Sequence, residues 1–171
     1  MEIFIGQQEL AGIVQELGAQ ISRDYAGKKL LLVCVLKGAF VFLADLARAI
    51  TIPCEVDFVT ASSYRNGTLP GAFEILQDLS FSLQDYDVLV VDDILDSGNT
   101  LSVMLAHMQS KNPRSLALCT LLDKPSRRVV PVQAKYVGRQ IPDEFVVGYG
   151  LDYAQQYRHL PHIAVLNDEN N

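Results

Sequence analysis

The segment Val88-Leu-Val-Val-Asp-Asp-Ile-Leu-Asp-Ser-Gly-Asn-Thr-Leu101 joins an apolar run, three carboxylates, a loop of small residues and the start of a helical pattern. Val88 to Val91 is continuously apolar, the habit of a strand covered on both faces of a parallel sheet. The strand is expected to end in Asp92 and Asp93, and ligands of open α/β sheets sit at such carboxyl ends. There the two acids can accept hydrogen bonds from vicinal hydroxyls or hold Mg²⁺. Ser97-Gly98-Asn99-Thr100 offers backbone N–H groups, hydroxyls and a helix N-terminus, together a cradle for a phosphate. Each part alone has a plainer reading. Ser-Gly-Asn-Thr is also a turn and N-cap, and paired acids after a strand also suit a receiver domain binding Mg²⁺ beside a phosphoacceptor.

The same alternation continues on both sides of this segment. Gln7 to Ile21 carries Leu10, Ile13, Val14, Leu17 and Ile21 at helical spacing, and Leu30 to Leu36 is a second continuous apolar run. Gly38 to Ile50 reads as a helix closed by Pro53, and Cys54 to Ala61 as a strand. Ser62 to Gly71 is rich in turn formers, which predicts a long flexible loop over 62–72 with Phe73 to Leu79 returning as a strand. Thr100 to Gln109 is helical, with Met104 and Met108 on its core face. Strands are expected at Leu116 to Leu122, Tyr136 to Gly138, Phe145 to Val147 and Ile163 to Leu166. This order predicts one α/β domain over 1–171 with a mostly parallel sheet, and a polar, frayed tail at 167–171.

The composition narrows the function. The chain has 171 residues with 14 basic and 20 acidic side chains, a formal charge of −6. A polyanion such as DNA asks for a basic face, so nucleic acid is not the expected partner. Cys34, Cys54 and Cys119 lack metal-ligand spacing and read as free thiols, buried for the first and last. His107, His159 and His162 lack it too. The N-terminus has no signal-peptide pattern and the apolar runs are too short to span a bilayer, so a cytoplasmic location is the default expectation.

The complete string, apolar strand, two acids, two apolar residues, Asp, Ser, Gly, any residue, Thr, resembles the phosphoribosyl-pyrophosphate motif of the type I phosphoribosyltransferases. Four further blocks resemble the hypoxanthine-guanine branch of that family. Val35-Leu-Lys-Gly-Ala-Phe40 is similar to its pyrophosphate loop, and Val56 to Tyr64 to the lead into its active-site loop. Leu121-Leu-Asp-Lys-Pro-Ser-Arg-Arg128 and Ile141 to Tyr153 are similar to its purine-binding elements, with Tyr157-Arg-His-Leu-Pro161 following in bacterial style. The blocks are collinear and cover roughly two-thirds of the chain.

The resemblance implies a twisted, mostly parallel sheet flanked by helices, with a small hood and the flexible hairpin loop. It implies transfer of phosphoribose from phosphoribosyl pyrophosphate to a 6-oxopurine, a Mg²⁺ requirement and a homodimer or homotetramer. Asp96 is then the general base. Asp92 and Asp93 hold the ribose hydroxyls directly or through Mg²⁺, and Ser97, Gly98, Asn99 and Thr100 cradle the 5′-phosphate. Lys37 and Gly38, whose family counterparts can follow a cis peptide, meet the pyrophosphate with Arg158. Lys124 reads the purine O6, Phe145 stacks on the ring, the Val146 backbone reads its edge, and Asp152 is a Mg²⁺ ligand close to the purine. Ser63 and Tyr64 ride the lid. The chain departs from the family pattern at Asp92, usually Glu, at Arg65 in a shortened loop, at Gly71-Ala-Phe-Glu, which lacks a basic residue, and at Gly138-Arg-Gln. A non-catalytic regulator that keeps the fold to sense phosphoribosyl pyrophosphate or nucleotides is the alternative function. A basic face would favour it, and the retained Asp96, Lys124 and Arg158 favour catalysis.

Overall fold

The computed structural model describes residues 1–63, 73–80 and 82–167. Tyr64, most of the expected 62–72 loop and the tail beyond Asn167 lie outside the described residues. Strand β1 (Glu2–Ile5) leads through α1 (Gln7–Asp24), β2 (Leu30–Leu36) and α2 (Phe40–Ala49) to β3 (Cys54–Ser63). β4 (Phe73–Gln77), β5 (Asp87–Leu95), α3 (Asn99–Ser110) and β6 (Ser115–Asp123) follow. A 3₁₀ turn (Pro125–Arg127) then precedes β7 (Tyr136–Gln140), β8 (Val146–Val147) and β9 (Ile163–Val165).

The main sheet has the order β4-β3-β2-β5-β6-β7 and is parallel throughout except for the β3–β4 pair. β2 is apolar at every position, and β5 is so from Val88 to Val91, because both faces are covered there. Leu30, Leu32 and Cys34 of β2 face a cluster with Leu10, Val14, Leu17 and Ile21 of α1 and Phe42, Leu43 and Leu46 of α2. Leu31, Val33 and Val35 face the other way, onto Leu101, Met104 and Met108 of α3. Full burial of each such Leu or Ile stabilises by roughly 1.5–3 kcal/mol, so the two clusters hold the helices in place.

Three short strands, β1-β9-β8, form a separate antiparallel sheet, the expected hood. β1 has no counterpart in the sequence reading. Four residues carry too little periodicity to announce a strand, and the partner, Ile163 to Val165, lies at the far end of the chain. β5 also runs past Val91 to Leu95. Its ladder to β6 continues at Asp92 with Thr120 and Ile94 with Leu122, so both acids lie within the strand instead of ending it. Phe145, expected in a strand, falls just before β8.

The topology positions a crevice. The chain leaves β2 through α2 toward β3 on one side, and leaves β5 through α3 toward β6 on the other. β2 and β5 are neighbours, so the carboxyl ends at Leu36 and Leu95 border a topological switch point. The hairpin beyond β3 is pinned at its base by Asp57, whose carboxylate accepts the Ser80 N–H and hydroxyl, both at 2.9 Å. An antiparallel β3–β4 pair and a hood have no place in a receiver domain, which removes that reading.

Candidate active site

A cleft of about 370 Å³ opens at the switch point, bordered by Lys37 and Gly38 after β2, Asp93 and Asp96 of β5 and its loop, Lys124, and Phe145 to Arg158 of the hood. A larger hollow of about 500 Å³ lies between α1, α2 and the hood, lined by residues such as Leu10, Phe40, Val41 and Leu160. The larger one is mostly apolar, and of its polar lining the Asp45 carboxylate is already taken by the Tyr149 hydroxyl. Convergent polar chemistry marks the smaller one as the candidate site.

Asp92 and Ser97 to Thr100 do not line this cleft themselves; beyond Asp96, the loop after β5 enters α3 through Gly98, at φ +87°. A side chain there would be strained, and a Cβ would also meet the Val130 carbonyl at 2.8 Å. The Asn99 N–H donates to Ser97 Oγ at 3.2 Å, while no side chain caps the helix start. The next amides of α3, those of Thr100 and Leu101, have no side-chain cap and can meet an anion. Beneath them, the Ser97 carbonyl accepts the N–H groups of Val129 and Val130 at 2.9 and 3.1 Å.

Across the cleft, the Leu36–Lys37 peptide is cis and the Lys37 side chain is exposed. Gly38 packs directly on Asp93, where a Cβ would lie 2.9 Å from the carboxyl carbon. A side chain at position 38 would collide with that carboxylate, so glycine lets the turn after β2 lie against β5. Arg158 reaches in from the hood, donating Nη1 to the Gly150 carbonyl at 2.8 Å and pairing Nη2 with Asp152 Oδ1 at 3.1 Å. Asp152 Oδ2 accepts the Gln155 N–H.

Asp92 and Asp93 dominate the electrostatics. Burial, then the neighbouring Asp93 carboxylate, push the Asp92 carboxyl well above its ordinary value of 3.8. Burial also raises Asp93, opposed by its hydrogen bonds and more weakly by the positive field of Arg158. Two close carboxyls short of counter-charge call for donors or a cation. Among the described residues no three His, Cys, Asp or Glu converge as a complete protein cage. Mg²⁺ is ordinarily held by one or two carboxylates while keeping waters and substrate oxygens, so the donor set fits that ion. The same pair makes a stability prediction. A carboxyl raised in the folded state keeps its proton where the unfolded chain has lost it, so stability falls as pH rises from about 4 toward the folded value. Asp92→Asn removes that loss. Urea denaturation of the metal-free protein should show the variant gaining on the parent as pH climbs from 4.5 to 8, and parallel curves would contradict the raised carboxyl.

On the remaining side, Lys124 is buried, with its backbone N–H on the Leu95 carbonyl at 2.9 Å. Its Nζ lies 3.9 Å from Asp143 Oδ1. Phe145 is half exposed, edge-on to Tyr153 with centroids 5.8 Å apart, and Val146 is buried. Lys124 is thus no surface charge, and Phe145 is no part of the core. Ser63 ends β3, and Tyr64 is outside the described residues.

The structure adds residues that the sequence reading left without a role. Arg127 Nε donates to Asp96 Oδ1 at 3.2 Å, and Arg128 binds the Asp96 carbonyl, the Val132 carbonyl and the Asp123 carboxylate. Both lie within the quoted Leu121 to Arg128 block. The tandem arginines were the available signal, but nothing local reveals that they fold back onto Asp96.

Comparison with known proteins agrees with this geometry. The phosphoribosyl transferase domain family matches residues 4–154. The chain is 51% identical to the hypoxanthine phosphoribosyltransferase of Salmonella typhimurium, over 99% of this chain and 98% of that one. It is 46% identical to the hypoxanthine-guanine phosphoribosyltransferase of Staphylococcus aureus, over 98% and 94% respectively. The crystal structure of a hypoxanthine phosphoribosyltransferase from Staphylococcus aureus superposes with a TM-score of 0.93 at 46% identity, covering 97% of this chain and 91% of that one.

Proposed function

Since the chain belongs to the phosphoribosyl transferase domain family, we propose that it is a purine-salvage enzyme that transfers the 5-phosphoribosyl group of phosphoribosyl pyrophosphate to N9 of hypoxanthine or guanine, releasing pyrophosphate. The supporting observation is one cleft that gathers Lys37, Arg158, Lys124 and the Phe145 ring around the carboxylates of Asp93, Asp96 and Asp152. No observation favours the sensing-regulator alternative.

In the reaction, N9 bonds to ribose C1 as the bond to pyrophosphate breaks, and charge separates in an oxocarbenium-like transition state. Asp96 takes the ring proton. Asp92 and Asp93 hold the ribose 2′ and 3′ hydroxyls, and Ser97, Gly98, Asn99 and Thr100 cradle the 5′-phosphate. Lys37, Gly38 and Arg158 receive the departing pyrophosphate. Phe145 stacks on the base, Val146 reads its edge through the backbone, and Asp152 stands between base and pyrophosphate. Ser63 and Tyr64 belong to the lid that excludes water. Mg²⁺ held by Asp92, Asp93 or Asp152 would supply charge neutralisation at the ribose and pyrophosphate oxygens. A cytoplasmic homodimer or homotetramer completes the reading, with exposed Phe40, Val56 and Phe58 the kind of surface a second copy covers.

The test is a substrate screen with phosphoribosyl pyrophosphate and Mg²⁺, following nucleotide formation from hypoxanthine, guanine, xanthine and adenine by ultraviolet absorbance. Turnover of hypoxanthine or guanine with silence on adenine is expected. Silence on all four with phosphoribosyl pyrophosphate still bound would refute the enzyme reading. Lys124 sets the oxo preference, because a buried cation donates to O6 and opposes an amino group. A hydrogen bond to a charged group contributes about 1.5–3 kcal/mol. Lys124→Met should therefore lower kcat/KM for hypoxanthine by about 10- to 100-fold without lowering the adenine rate. Equal losses on both bases would show that Lys124 does not read O6.

A further inference from the structure

Arg127 and Asp143 have no role in the reaction as written, yet they connect the two groups assigned to the purine. Arg127 Nε lies 3.2 Å from Asp96 Oδ1 and 3.8 Å from Asp143 Oδ1, and Lys124 Nζ lies 3.9 Å from that same Asp143 oxygen. The result is a chain of alternating charge, Asp96, Arg127, Asp143, Lys124, with a purine-handling group at each end. Its origin is local. Lys124 precedes the 3₁₀ turn and Arg127 ends it, the Arg127 N–H donating to the Lys124 carbonyl at 3.0 Å. Residues three apart eclipse in such a turn, so both cations project to one side, where Asp143 meets them.

We propose that Arg127 is a positioning residue for Asp96: its guanidinium holds one carboxylate oxygen and turns the other toward the ring proton of the purine. The proposal rests on reading Asp96 as the general base. Folding stability does not account for the contact. The Arg127 side chain is 52% exposed and that of Asp96 41% exposed, and ion pairs this open add little to stability. What the contact restricts is the rotation of a carboxylate on a loop, and productive proton transfer needs the oxygen within hydrogen-bond reach of its target. Asp143 supports the arrangement by holding Arg127 and Lys124 at a common spacing.

The proposal is tested by steady-state kinetics of Arg127→Met and Arg127→Lys, in the parent and in an Asp96→Asn background, with hypoxanthine and phosphoribosyl pyrophosphate varied in turn. Arg127→Met should lower kcat by about 10- to 100-fold and leave both KM values within about threefold, the pattern of a group needed in the transition state. Arg127→Lys should recover part of the loss, and thermal melting should stay close to the parent. The Met substitution should have almost no further effect on the residual rate of Asp96→Asn, since no proton-accepting group is then left to position. The proposal fails if kcat is unchanged, if only KM moves, or if the losses multiply in the double variant. An Asp96→Asn enzyme of full activity would instead overturn the base assignment and the proposal with it. An inactive Asp96→Asn beside an unimpaired Arg127→Met overturns the proposal alone.

Discussion

Asparagine at position 96 is expected to lower kcat by about 10²- to 10⁴-fold, the range that a positioned general base contributes. The substitution keeps the shape of the side chain and an oxygen for the Arg127 Nε, which lies 3.2 Å from Asp96 Oδ1. It removes only the capacity to take a proton. The backbone there stays held, because the Asp96 carbonyl accepts from Arg128 at 3.1 Å and the adjoining Ser97 carbonyl accepts two amides of the 129–130 segment. KM for phosphoribosyl pyrophosphate should therefore change little, since the amides and hydroxyls of Ser97 to Thr100 remain in position. Steady-state kinetics with hypoxanthine and a thermal melt are sufficient to check both parts. A kcat within threefold of the parent would transfer the proton to solvent or to another group. A large rise in KM would assign Asp96 to binding instead.

How far the sequence could be read follows the range of each interaction. β2 and the Val88 to Val91 stretch of β5 are legible because a strand covered on both faces must be apolar there, and α1 is legible because its buried stripe repeats at the helical period. The order of strands is a different matter. It is set by pairings such as Leu30 with Asp87 and Glu2 with Val165, which join distant segments and leave no local periodicity. At the candidate site, motif resemblance pointed to Lys37, Asp93, Asp96, Lys124, Phe145, Asp152 and Arg158, which the fold gathers around one cleft. It was silent on how Arg127, Asp143, Arg128 and Asp123 support them. Such supporting contacts depend on the turn of Pro125–Arg127 and on the return of the chain past Val132, which are three-dimensional facts. The same limit explains the reading of Asp92 and Asp93 as a strand end. Their polarity suggests a terminus, but the ladder to β6 carries the strand on to Leu95.

Arg128 supplies the contrast to its neighbour Arg127. Its side chain is only 20% exposed and pairs with Asp123, whose side chain is 10% exposed. The remaining donors go to the Asp96 and Val132 carbonyls, at 3.1 and 2.9 Å. One guanidinium thus joins the end of β6, the loop after β5 and the 128–132 segment against which Gly98 packs. Removing one partner of a buried ion pair leaves the other charge desolvated, a cost of about 3–5 kcal/mol. Arg128→Met keeps most of the packing volume and should cost about 3 kcal/mol, toward the lower end because some water reaches the pair. Asp123→Asn added to it removes the stranded charge and should restore part of the loss, a non-additive result that urea denaturation would reveal. The loop should slacken as well, raising KM for phosphoribosyl pyrophosphate more than it lowers kcat. A loss below about 1 kcal/mol would mean that solvent already satisfies Asp123, making this pair as dispensable to folding as the exposed one beside it.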